Sequence, residues 1–134
     1  QWATTANQGF SRPDALLVVV AITDEDEQPT SSARSPQAIY ERLVAAKGGD
    51  PSRIVFLGIG GRRNCFGAYG TAQEARTLRQ VTELFQQQNR GVFWDLCEGK
   101  LQDGLEEAYK VIDDACTNLP PPPVVPPPLS DGPD

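Results

Sequence analysis

Residues Ala15 to Thr23 read ALLVVVAIT, a run with no polar side chain before its final threonine. It is too short and too β-branched for a buried helix, and it lies between an Arg-Pro-Asp turn and four consecutive acids. A strand without a polar face must be covered on both sides, which is the setting of a strand inside a parallel sheet. This requirement constrains the fold more than any other feature of the chain.

Two further runs have the same character, RIVFLGI from Arg53 to Ile59 and GVFWDL from Gly91 to Leu96. Helical patterns separate them. Ser35 is an N-cap followed by Pro36 at the first helical position, Ile39, Leu43 and Val44 share a side, and KGGDP ends the helix. A second helix is expected from about Ala72 to Gln88, its stripe formed by Ala75, Leu78, Val81, Leu84 and Phe85. A third is expected over about Lys100 to Cys116, with Leu101, Leu105, Tyr109, Ile112 and Cys116 as its apolar face. The order β-α-β-α-β-α specifies the α/β class, with parallel strands and right-handed crossovers.

If each strand pairs with the next, the helices all lie on one face, and the first strand is left half covered. Doubly wound, Rossmann-like sheets solve this by adding strands beyond the first and helices on the other face. Residues 1–14 read as an extended segment and supply neither. The expectation is therefore half of a doubly wound fold over residues 15–117, completed by another polypeptide. From Thr117 onward the chain holds eight of its twelve prolines, so residues 118–134 read as an extended tail or linker that buries little.

The formal charge is −6 and Arg62-Arg63 is the only adjacent basic pair, so a nucleic-acid partner is not expected. No apolar run approaches the ~18 residues of a membrane span. The chain has no histidine, which removes His-based triads, His metal ligands and His proton shuttles.

Three features invite chemistry. Asp24, Glu25, Asp26 and Glu27 follow the first strand, where open α/β sheets place ligand groups. Asp24 and Asp26 point the same way in strand geometry, and with Thr23 they offer a hard cation a few oxygens. Such a site is incomplete; for the chain by itself, a solvated acidic turn is the expectation. The glycine-rich loop GIGGRRNCFGAYG lacks both the G-x-G-x-x-G spacing and the P-loop pattern. Its glycines suit an ordered surface loop packed down by Phe66 and Tyr69, with Arg62 and Arg63 available to a partner's carboxylate. Cys65 and Cys97 follow the ends of the second and third strands, so a disulfide closing the long loop is reasonable if those strands are neighbours. The other reading of the cysteines is reduced cytosolic thiols. Cys116 reads as a buried thiol of the last helix or as a bridge to the missing half.

The run GFSRPDALLVVVAITDEDEQ, the loop CFGAYGTAQEARTL and the ending GVFWDLCEGKLQDGLEEAYKVIDDAC together resemble the C-terminal half of von Willebrand factor type A-like domains. The similarity runs over about residues 9 to 117 and is to those on secreted or surface proteins of proteobacteria, including myxobacteria. It implies a doubly wound sheet of which this chain holds the last three strands. It also implies a metal-ion-dependent adhesion site in which Asp24 matches the family's aspartate after the fourth strand. The D-x-S-x-S motif of that site occurs nowhere in the chain, so Mg²⁺ or Ca²⁺ would need ligands from a partner.

The function expected is an extracellular, cell-surface or periplasmic binding module without enzymatic activity, its partner a complementary half-domain or identical subunits. The alternative is a metal-dependent hydrolase or phosphoryl-transfer enzyme using Asp24, Asp26 and Asp95 at the sheet edge.

Overall fold

The computed structural model describes residues 9–10, 12–27 and 34–121. The described segments contain five strands and three helices: β1 (Leu17–Ile22), α1 (Pro36–Ala46), β2 (Ile54–Gly60), β3 (Cys65–Gly67), β4 (Gly70–Ala72), α2 (Arg76–Gln86), β5 (Gly91–Asp95) and α3 (Leu101–Thr117). β1, β2 and β5 form a parallel sheet in that order. The expected α/β alternation is thus present as a three-stranded parallel sheet with three helices, compatible with half of a Rossmann-like fold. The expected extended N-terminal segment and proline-rich tail fall mostly outside the described residues.

Local chemistry sets each boundary. Ser35 caps α1, its hydroxyl accepting from the Ala38 amide at 3.2 Å, and Pro36 opens the helix. Gly48 and Gly49, both with positive φ, end it. Before β2, Asp50 caps a 3₁₀ turn over Pro51–Arg53. Arg53, expected at the start of the strand, instead sits buried in that turn.

β2 is buried along its whole length and divides two apolar clusters. On one face Ile54 and Phe56 meet Val81 and Phe85 of α2, with Val19, Ala21, Ile39, Leu43 and Leu78 around them. Phe56 and Phe85 stack at 5.3 Å, and Tyr40 tilts onto Phe85 at 4.7 Å. On the other face Leu57, Ile59 and Val92 pack against Ala108, Trp94 and Val111.

This second cluster corrects the expectation that every helix lies on one face. The two crossovers place α1 and α2 on one face, but α3 follows β5, connects to no further described strand and packs on the other face. It does so on small residues. Gly104, Ala108 and Ala115 are its buried positions, and a Cβ at Gly104 would lie 2.5 Å from the Trp94 ring. The stripe expected to be the buried face is mostly open instead: Leu101, Leu105, Tyr109 and Cys116 are exposed and Ile112 is half-buried. Periodicity alone could not choose between two adjacent faces of the helix; the bulk of Trp94 chose the one with glycine and alanine.

β1 also departs from expectation. Its burial alternates, with Val18, Val20 and Ile22 exposed at 40%, 52% and 65%. It is the edge of the sheet, half-buried on the side of α1 and α2 and exposed on the other.

Candidate functional site

The C-terminal edge of the sheet gathers the residues that the sequence singled out. At the end of β1 the Thr23 amide extends the ladder to the Ile59 carbonyl at 3.0 Å. The Thr23 hydroxyl accepts from the Glu25 amide at 3.1 Å and donates to the Glu25 carbonyl at 2.8 Å, closing a tight turn. Asp24 takes part through its backbone, its carbonyl accepting from the Gln73 amide at 2.8 Å, while its side chain faces solvent. The Asp26 carboxylate accepts from the Thr77 amide at 2.9 Å. Since the residue before α2, Ala75, carries no side-chain cap, Asp26 supplies one from another element.

Asp95 is 7% exposed at the end of β5, and one of its oxygens accepts from the Arg62 amide at 3.1 Å and the Cys97 amide at 3.0 Å. It fixes the loop after β2 to the turn after β5. The disulfide joins the same two segments: Cys65 and Cys97 are bonded, with Cα atoms 5.9 Å apart, as the parallel neighbours β2 and β5 allow. Cys116 corrects the buried-thiol expectation, since it is free and exposed. The buried place at that end of α3 belongs to Ala115.

Between Cys65 and Ala72 the glycine-rich loop forms an antiparallel hairpin, β3 paired with β4, that the sequence reading missed. The Gly67-Ala68-Tyr69-Gly70 spacing between two short β-prone pairs was the available signal. Phe66 and Tyr69 do not pack the loop down as expected. They are 92% and 70% exposed, while the hairpin residue that turns inward is Ala72, at 3%. Only the flank of Tyr69 is engaged, lying against Gly99 at a distance where a Cβ would be 2.9 Å from its ring. Arg62 and Arg63 are exposed beside the hairpin, and the Arg62 guanidinium lies 5.4 Å from the Phe93 ring centre.

Below this edge, β1, α1 and α2 enclose an open groove of about 480 Å³. Its walls are Val19, Ala21, Ile39, Leu43, Leu78 and Val81, and Glu25, Asp26 and Glu27 line its mouth. Across α2, Glu74 binds Arg76 at 3.2 Å and Arg79 at 3.0 Å, and these hydrogen bonds hold its carboxyl below the ordinary glutamate range.

Among the described residues, no group of three or more His, Cys, Asp or Glu side chains is placed to hold a metal ion. Asp24 is exposed, Asp26 has one oxygen committed to Thr77, and Asp95 is buried against two amides. The side chains present do not make a cation shell of their own. No described helix is long and apolar enough to cross a membrane. Comparison with protein-family models, with curated proteins and with solved structures returns no match to this chain.

Proposed function

We propose that this chain is the C-terminal half of a von Willebrand factor type A-like binding module, completed along β1 by further polypeptide. The observation that carries the reading is the open apolar trough beside β1. Val18, Val20 and Ile22 form its floor. Its wall is the exposed stripe of α3. The opposite flank of α3 carries Asp114, which binds Arg90 at the foot of β5 at 3.3 Å, so the stripe turns toward β1.

An edge strand of this composition also presents a row of backbone donors and acceptors to any added strand. A strand hydrogen-bonded to β1, carrying a helix beside α3, would bury both features and give the first strand the two covering layers its sequence calls for. The completing segment belongs either to a complementary half of the domain or to a second copy of the chain.

The Cys65–Cys97 disulfide agrees with a non-cytoplasmic, oxidising compartment. Within it the module acts by binding protein rather than by catalysis. A Mg²⁺ or Ca²⁺ at Asp24 would require the completing chain to bring most of the oxygens. Exposed Cys116, on the trough side of α3, is placed to bridge to that chain.

The test is native mass spectrometry of the purified protein, set beside the same sample denatured with and without reductant, and amide exchange along β1. A second, non-identical chain protecting residues 17–22 supports a split domain, and its release only by reductant assigns the bridge to Cys116. Multiples of 14.5 kDa with protected β1 amides mean self-completion. A stable, folded monomer whose β1 amides exchange freely removes the proposal.

A further inference from the structure

Among the described residues, the groove under β1 and the hairpin above it are both open to solvent, both apolar, and flanked by opposite charges. The hairpin is a preorganised apolar finger. Phe66 is 92% exposed at its side, and the disulfide and the Asp95 hydrogen bonds fix its base. The ordering cost of docking is therefore largely met during folding. Exposed aromatics flanked by arginine are the residue types that dominate interface energetics. The groove has the complementary features: about 480 Å³ of open space, apolar walls and three carboxylates at the mouth. That volume is in the range of pockets that take a drug-sized ligand, room enough for the tip of a hairpin carrying an aromatic side chain.

We propose that two copies of the chain associate reciprocally, the Phe66–Tyr69 hairpin of each entering the β1–α1–α2 groove of the other. The finger does not fill its own groove, since Phe66 is almost fully solvated. The hairpin and the acidic mouth of the groove both lie at the C-terminal edge of the same sheet, so one patch holds finger and groove entrance together, as a twofold contact requires. Charge decides between this partner and an unrelated one. On a chain of net charge −6, Arg62 and Arg63 form a local basic spot beside the finger, and Glu25, Asp26 and Glu27 form an acidic rim on the groove. In the reciprocal pair each basic spot meets an acidic rim twice over, and salt weakens the association. The inference uses neither the outward backbone of β1 nor the Val18, Val20 and Ile22 face, so it stands apart from the completion of the sheet.

Sedimentation velocity of the disulfide-intact chain tests it over rising concentration at low and high salt. The expected result is a shift from 14.5 kDa toward twice that mass, favoured at low salt. Phe66→Ser is expected to weaken the dimer by about tenfold or more. Two charge-reversed variants sharpen the test: Arg62→Glu with Arg63→Glu, and Glu25→Arg with Glu27→Arg. Each alone is expected to be monomeric, and mixing the two is expected to restore a heterodimer, because both contacts then join opposite charges. All four positions are exposed, and circular dichroism checks that each variant is folded. A monomer at every concentration overturns the proposal. So does a dimer that ignores these changes but is broken by Ile22→Lys, which would place the contact at the open strand.

Discussion

Asp26 and Thr77 are fifty-one residues apart in sequence and 2.9 Å apart in space, the carboxylate of one capping the helix whose first turn holds the other. The acid cluster after β1 therefore has a structural part independent of any metal. A carboxylate at a helix N-terminus satisfies an otherwise unpartnered amide and complements the helix dipole.

Asp26→Ala is expected to lower stability by about 1–2 kcal/mol. Asp26→Asn, which keeps an acceptor, should recover most of it. Asp24→Ala should change little, its ordered contact being through the backbone. Urea unfolding of the three variants in the presence of chelator checks this ranking. Equal losses at Asp24 and Asp26 would mean that the two side chains act together.

Removing the staple with Cys65→Ser and Cys97→Ser reopens a loop whose ends are 32 residues apart. The expected loss is about 3–4 kcal/mol on the loop-closure account. Thermal unfolding measures it. The same variant should also loosen the hairpin, seen as faster exchange of the β3 and β4 amides. Unchanged exchange there would show that Asp95 alone holds the hairpin's base.

Gly104 sets two effects against each other. Alanine in its place improves helix propensity by about 1 kcal/mol. Its Cβ, however, would stand 2.5 Å from the Trp94 ring, and overpacking of a fixed helix against a fixed strand costs roughly 1–3 kcal/mol. The clash is expected to win: Gly104→Ala should lower Tm and shift the tryptophan fluorescence, and Gly104→Val should lower it further. A raised Tm would mean that the ring swings aside at little cost.

Asp50 supplies the pH dependence. Its hydrogen bonds from Ser52, reinforced by the Arg53 guanidinium, hold its carboxyl below the ordinary aspartate value. A depressed folded pKa means the unfolded chain binds the proton more tightly. The stabilisation is therefore complete above the ordinary aspartate range and is lost as pH falls through it toward the folded value. Asp50→Asn should flatten the acid limb of the stability curve measured between about pH 5 and pH 2. An acid limb identical to that of the parent would assign the loss to other carboxylates.

The elements whose signals are local were legible in the sequence. Ser35-Pro36 opens α1 where a cap and a first-turn proline must, and the three β-branched runs are the three sheet strands. The Cys65–Cys97 pairing followed from strands that end side by side. The features that depend on what lies opposite were not legible. ALLVVVAIT reads as buried on both faces, yet Val18, Val20 and Ile22 stand exposed at the edge of the sheet. Leu101, Leu105 and Tyr109 form the more hydrophobic stripe of α3, but the width of Trp94 seated the helix on Gly104 and Ala108. At the site, the charge of Asp26 is visible in the sequence, whereas its partner Thr77 lies in another element and leaves no mark near it. Phe66 and Tyr69 were picked from the right loop for packing and serve instead as exposed surface.

Arg53 ties the two flanks of the fold together. Its buried guanidinium donates to the Asp14 carbonyl at 3.1 Å and to the Pro120 and Pro121 carbonyls at 2.7 Å, while its Nε pairs with Asp50 at 3.2 Å. The backbone entering β1 and the backbone leaving α3 are thus fastened to one rigid planar group at the base of the sheet. Loss of this one side chain would therefore release both flanks of the fold at once.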